Sequence, residues 1–399
     1  MKILKDSFIY LFGELAAKAL PFLLLPYLTR KFGAAGFGEL SYYQTICSLL
    51  IIVFGLSQDG ALTRYFYVYG KRNLNNIMLA GYGYTALMAT LALIFAAITQ
   101  SLTIAAVICA AAAQTVLGVQ LALRQCQKRA LPYTLIQTAS GVFTSLLTVL
   151  ILETTVTAPI AMRFAALFLG NAAVSIAAYC LIPKTQSRQN FRKLKLAGCY
   201  VLTFGLPLVL HHASGFVKGQ LDRIVIYQHY PAEQLGIYSA GLQLASILSI
   251  LLLAVNKATV PHYYQALKQG SLNAEKVRKF ALFSLIAVPI PTFIAFLLPE
   301  KLYVWILGAQ YLGVKYYILL FLLGFGFTIP YYLLVNFLFY HGENKRIATI
   351  SVLSTVVYLV ALFATSLVGI QWIPFAMIIG NITILPILYH RVSQHIKAA

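Results

Sequence analysis

The sequence predicts an all-α polytopic membrane protein: twelve transmembrane helices in two six-helix bundles related by a parallel repeat. Three observations carry that expectation. Only 10% of the 399 residues are charged and 60% are hydrophobic, whereas soluble chains carry about 25% charged residues. The apolar residues gather into runs long enough to cross a bilayer core of about 30 Å. Basic residues crowd into every second break between those runs. A membrane-spanning β-barrel is excluded, because it needs segments of about ten residues alternating in and out, and these runs are continuous.

The elements follow in pairs. Spans one and two, roughly 7–29 and 37–58, are preceded by Lys2 and Lys5 and followed by Arg64, Lys71 and Arg72. No small-residue cleavage site ends the first run, and it is too long for a signal-peptide core, so it reads as a retained helix. Spans three and four, roughly 77–98 and 102–124, end on Arg124, Lys128 and Arg129. Spans five and six, roughly 132–152 and 157–182, lead into Lys184, Arg188, Arg192, Lys193 and Lys195. Spans seven and eight, roughly 199–226 and 234–256, enclose the short turn QHYPAEQ and end before Lys257, Lys268, Lys276, Arg278 and Lys279. Spans nine and ten, roughly 277–298 and 314–340, precede Lys345 and Arg346. Spans eleven and twelve, roughly 347–368 and 371–390, precede Arg391 and Lys397.

This alternation sets the topology. Twenty-two of the thirty Lys and Arg fall on one side, five (Arg30, Lys31, Arg223, Lys301, Lys315) on the other, and Lys18, Arg163 and Lys218 inside spans. Cytoplasmic loops carry the excess of Lys and Arg, so both termini are expected in the cytoplasm. The formal net charge of +20 reads as topology, not as a nucleic-acid surface. The basic stretch 183–198, PKTQSRQNFRKLKLAG, divides the chain into a bundle over 1–182 and a bundle over 199–399. At a fixed offset of 198 the halves match without a gap at Gly38/Gly236, Ser41/Ser239, Ser48/Ser246, Leu50/Leu248, Ile52/Ile250, Tyr65/Tyr263, Leu74/Leu272 and Asn75/Asn273. Two parallel repeats suit a transporter with its site between the halves.

An ionisable side chain at mid-bilayer costs about 2.5–3.5 kcal/mol on insertion scales, which makes each one a candidate. Glu14 and Lys18 share a face of span one at i,i+4 spacing. They form either a self-neutralising structural pair or a cavity-lining pair. On span seven, His211, Gly215, Lys218 and Asp222 lie on one stripe, and His212 is the repeat counterpart of Glu14. A histidine titrates near neutrality and is suited to carry a proton; the plain alternative is a ring bonded to a carbonyl. Arg163 is expected to snorkel to the interface. The polar Gln44, Gln114, Asn171, Gln243, Asn256, Asn336 and Asn381 read as helix-joining groups. The 26 tyrosines populate interfacial belts, and some are suited to stack on sugars, although nothing in the sequence says which.

Other chemistries lack a signature. The five cysteines form no C-x-x-C and no Cys/His cluster, so they read as small apolar filler, with no metal site and no cofactor expected. There is no G-x-x-x-x-G-K-[ST], no H-E-x-x-H and no G-x-S-x-G. No catalytic residue is expected, and the chain reads as a non-enzyme.

The segments LPFLLLPYLTRKFGAAGFGELSYYQ at 20–44 and LDRIVIYQHYPAEQLGIYSAGLQL at 221–244 resemble the O-antigen and polysaccharide flippases of the multidrug/oligosaccharidyl-lipid/polysaccharide exporter superfamily. The resemblance implies a bacterial inner-membrane protein that moves an undecaprenyl-diphosphate-linked oligosaccharide to the periplasmic leaflet by alternating access. Its partners would be that substrate, membrane lipids, a coupling proton or sodium ion, and other polysaccharide-assembly membrane proteins, with no nucleic acid. Carried onto this sequence, Lys18, Arg30, Lys218, Arg223 and Arg64 are the substrate-binding cations, and Glu14, Asp222, His212 and His211 the coupling or gating groups. A competing reading is a cation-coupled multidrug exporter of the same superfamily. It needs acidic groups in the lumen, and Glu14 and Asp222 each have a basic neighbour. A membrane glycosyltransferase or polymerase is the third reading.

Overall fold

A computed structural model describes residues 2–71, 73–155, 157–181 and 191–397, with side chains over 19–71, 73–155, 157–181 and 192–395. Every regular element among the described residues is helical, with no strand. Eleven helical stretches among them are long and apolar enough to cross a membrane. The first, Ala19–Tyr69, runs for 51 residues but is broken at Gly33, so it contributes two of twelve helices.

The first long helix, α1, spans Lys2–Gly55, and α2 spans Gln58–Tyr69. Gly33 sits at φ 64° and ψ −178°, a conformation essentially reserved for glycine. Breaking a helix inside a membrane frees backbone groups that must be paired within the protein. Here Gln310 Oε1 accepts from the Ala34 N–H at 2.9 Å, and the Tyr311 hydroxyl donates to the Gly33 carbonyl at 3.1 Å. The expected loop between spans one and two is therefore a single-residue kink.

Four helices follow: α3 (Leu74–Ile98), α4 (Leu102–Cys126), α5 (Ala130–Thr154) and α6 (Pro159–Cys180). Then come the long α7 (Phe191–His229) and α8 (Ala232–Lys268). At about 1.5 Å per residue, helices of 39 and 37 residues overrun a 30 Å core. The basic stretch 183–198 lies partly outside the described residues, and from residue 191 it is already helix. Span nine is split into α9 (Ala274–Ser284) and α10 (Ile290–Leu297) at Pro289 and Pro291. A short α11 (Glu300–Leu307) leads into α12 (Val314–Gly326) and α13 (Thr328–Tyr340), then α14 (Asn344–Val368) and α15 (Ile373–Lys397).

The chain forms two compact units, residues 1–24 with 42–216 and residues 25–41 with 217–399. In the first, α4 packs against α6, α3 and α2, and α5 against α6. A core of Leu56, Leu62, Leu74, Ile77, Leu123 and Val201 joins α2, α3, α4 and the start of α7. In the second, α8 packs on α12, α14 on α15, and α13 on α9 and α15.

The second unit also holds a direct trace of the repeat. The Ser41 hydroxyl donates to Ser239 Oγ at 2.7 Å, across the offset of 198 residues. A Cβ on Gly38 would overlap the Ala232 carbonyl, and one on Gly236 would overlap the Ala34 carbonyl. Ala34-x-x-x-Gly38 and Ala232-x-x-x-Gly236 thus let two equivalent helix segments touch backbone to backbone, as small residues at i,i+4 do in membranes. The reciprocal contact places equivalent residues opposite one another.

Candidate functional site

The expected site residues separate into three situations. Glu14 and Lys18 lie outside the residues whose side chains are described. His211 and His212 fall in the first unit, on an exposed stretch of α7, with their rings 5.8 Å apart. Lys218, Asp222 and Arg223 fall in the second.

In the second unit Lys218 and Asp222 are taken up by neighbours. The Lys218 ammonium donates to Ser354 Oγ at 2.8 Å, and that hydroxyl donates onward to the Gly380 carbonyl at 2.7 Å. Asp222 is only 7% exposed. One of its oxygens accepts from the Tyr238 hydroxyl, the other from the Arg223 backbone N–H at 2.9 Å. Tyr238 is itself fully buried against Tyr317 and Phe321. A buried carboxylate needs such donors, because an unpaired one is costly. This arrangement ties α7 to α8 and α14. Arg30 is exposed and donates to the Trp305 carbonyl.

In the first unit, Arg64 has a different setting. It lies on the last turns of α2, exposed, on the helical extension beyond the bilayer span expected from sequence. Its guanidinium donates to the Tyr200 hydroxyl at 3.2 Å. The guanidinium carbon lies 6.0 Å from the ring centre of Tyr69 and 5.9 Å from that of Phe204. Tyr200 and Phe204, one turn apart on α7, are stacked with centres 6.1 Å apart and planes 14° apart. Tyr65 meets Tyr200 edge-on at 5.5 Å, and both rest on the hydrophobic core of this unit. α7 comes this close because Gly205 carries no side chain: a Cβ there would overlap the Leu56 carbonyl. No carboxylate lies within ion-pair distance of Arg64 among the described residues.

Two further arginines are buried. Arg163 is not snorkelling: it is 8% exposed, bonded to the Thr148 hydroxyl, with its Nε unpaired among the described residues. Arg124, read as a loop charge, is 4% exposed and donates to Gln120 at 3.2 Å and to the Ala178 carbonyl at 2.6 Å, closing α4 onto α6. Sequence reasoning missed Tyr200, Tyr69 and Phe204 as partners of Arg64. The available signal was the aromatic run YFYVY at 65–69, but its partners lie more than 130 residues away.

No group of three or more His, Cys, Asp and Glu suited to a metal ion occurs among the described residues.

Comparison with known proteins agrees with a membrane transporter scaffold. The profile of the family described as polysaccharide biosynthesis protein matches residues 3–267. A protein of the Lsg locus of Haemophilus influenzae is 47% identical over 396 residues, covering 99% of both chains. An uncharacterized membrane protein of the same organism is 46% identical over 391 residues, covering 98% of this chain and 96% of the other. Among solved structures, an inward-facing multidrug resistance MATE family transporter of the MOP superfamily aligns with a TM-score of 0.67 at 14% identity, over 97% of this chain and 94% of that one. A MOP superfamily transporter from Pyrococcus furiosus, described as having a binding pocket of reverse polarity, aligns with a TM-score of 0.58 at 14% identity, over 99% and 96%. The twelve helices, the internal repeat and these matches agree, and the chain belongs to the polysaccharide biosynthesis protein family, with the fold of the MOP-superfamily membrane transporters.

Proposed function

We propose that this protein is a flippase that carries an undecaprenyl-diphosphate-linked oligosaccharide, an O-antigen or related repeat unit, from the cytoplasmic to the periplasmic leaflet of a bacterial inner membrane. Membership of the polysaccharide biosynthesis family is the observation that carries the reading. The physical requirement agrees with it. A diphosphate crossing a low-dielectric region needs cationic partners, since a desolvated charge without one is expensive. Lys18, Arg30, Lys218, Arg223 and Arg64 are the cations assigned to that task. Glu14, Asp222, His211 and His212 are assigned to coupling to a proton or sodium ion, or to gating. Residues 1–182 and 199–399 are taken as the two repeats that alternate access, with both termini in the cytoplasm. The lipid tail stays in the bilayer throughout, and other polysaccharide-assembly membrane proteins supply and consume the glycan.

The test is a strain lacking the gene, complemented with the wild-type or the Lys18→Ala chain. Surface polysaccharide should return with the wild type and fall well below it with Lys18→Ala at equal membrane abundance. Full polysaccharide from Lys18→Ala removes that residue from the mechanism. Drug efflux by purified protein in vesicles, with surface glycan unaffected by the deletion, would replace this reading with that of a multidrug exporter, which has the same fold.

A further inference from the structure

We infer that the Arg64 cluster is a receiving site for a diphosphate-linked sugar, with Arg64 holding the anion and the Tyr200–Phe204 stack holding the first sugar ring. The inference rests on the flippase reading and adds to it a place and a set of residues. Four observations lead to it. First, Arg64 has no carboxylate partner among the described residues, and its hydrogen bond to Tyr200 uses one of five donors. An exposed arginine in that state has donors left for a phosphate, which it can grip with two parallel bonds. Second, the guanidinium is positioned before any ligand arrives, by the Tyr200 hydroxyl at 3.2 Å and by the rings of Tyr69 and Phe204. Preorganisation of this kind removes part of the entropy cost of binding. Third, Tyr200 and Phe204 stack with nearly parallel planes, an aromatic surface beside the cation. The C–H face of a pyranose packs on such a surface, and the ring quadrupole favours the polarised C–H edge. Fourth, the site lies at the end of α2 that the basic loop Lys71–Arg72 assigns to the cytoplasm, where a lipid-linked sugar would be loaded.

An aromatic belt at the membrane interface accounts for single tyrosines. It does not require an unpaired cation held between ring faces, or two rings stacked one turn apart. The anion-binding chemistry is shared between a diphosphate and a phospholipid headgroup, so the experiment separates them.

The experiment measures binding to the full-length protein in nanodiscs of zwitterionic lipid. Three probes are used: undecaprenyl diphosphate bearing one N-acetylhexosamine, bare undecaprenyl diphosphate, and phosphatidylglycerol. Arg64→Ala should weaken both diphosphate probes by about tenfold or more, the loss expected for a charge-assisted bond. Arg64→Lys should recover only part of that, because the ammonium cannot grip bidentately. Phe204→Leu should weaken the sugar-bearing probe about tenfold and leave the bare diphosphate within about twofold. Tyr200→Phe keeps the ring and removes the hydroxyl, so it should retain the sugar preference. Sugar-probe affinity unchanged in both Arg64→Ala and Phe204→Leu overturns the inference and leaves the flippase reading standing. Equal losses on both diphosphate probes in Phe204→Leu overturn the sugar contact. Phosphatidylglycerol competing as well as the diphosphates marks a headgroup site and overturns it too. Failure of the wild type to bind either diphosphate probe overturns the inference and the flippase reading together.

Discussion

Asp222 and Arg64 are both charges on membrane helices, and their surroundings are opposite. Asp222 is buried and has donors on both oxygens, from Tyr238 and from the Arg223 backbone. Arg64 is exposed, framed by aromatic rings, and faces no carboxylate among the described residues. The difference teaches that a charge in or beside a membrane span is ambiguous until its partners are known. A buried charge with partners on both sides ties helices together; an exposed one with donors to spare can also hold a ligand. Arg124 belongs with Asp222 in this respect, buried and bonded to a neighbouring helix, whereas Arg163 is buried and bonded to Thr148 but keeps its Nε unpaired among the described residues.

The comparison can be broken by substitution. The largest effect is expected at Asp222. Asp222→Ala leaves the buried Tyr238 hydroxyl without its acceptor, which costs about 1–3 kcal/mol. Thermal unfolding of the detergent-solubilised protein should show it, and adding Tyr238→Phe should recover part of the loss by removing both partners. A melting temperature unchanged by Asp222→Ala would show that the contact is not structural.

Arg64→Ala should behave in the opposite way. It removes an exposed side chain whose contacts, to Tyr200, Tyr69 and Phe204, lie on the surface, so the stability loss should stay at or below about 1 kcal/mol. Surface polysaccharide should fall all the same. A melting shift as large as that of Asp222→Ala would erase the distinction between the two sites.

The smallest effect sharpens the same idea at the membrane edge. Glu343, between α13 and α14, accepts from Arg346 at 2.9 Å and pairs with His395 at 2.5 Å. Burial works against its charged form, but the bonds to His395 and Arg346 outweigh it and hold its pKa below the usual carboxylate value. A depressed folded-state pKa stabilises the fold above the unfolded value, near 4.3, and that stabilisation is lost as pH falls through the folded value. The melting difference between wild type and Glu343→Gln should therefore shrink as the pH falls below about 5. A difference that stays flat through acid pH would show that the pair is not coupled to folding.

Much of this protein was legible in its sequence. Apolar run length gave the helices, because a helix is the form in which a single segment satisfies its own backbone in lipid. Loop charge gave an expected orientation, and the offset of 198 gave a repeat that the Ser41–Ser239 and Gly38–Gly236 contacts display directly. The sequence also marked Lys218, Asp222 and Arg64 as candidates. Only the tertiary structure decided what each charge touches. Tyr200 lies 136 residues from Arg64, and Ser354 lies 136 residues from Lys218. Periodicity reports on one helix at a time, whereas satisfaction of a polar group depends on which helices meet, and at what height. The same reason hid the kink at Gly33, whose freed backbone groups are met by Gln310 and Tyr311. The sequence determined which segments enter the membrane. Packing decided which of their charges are spent on the fold and which remain open to a ligand.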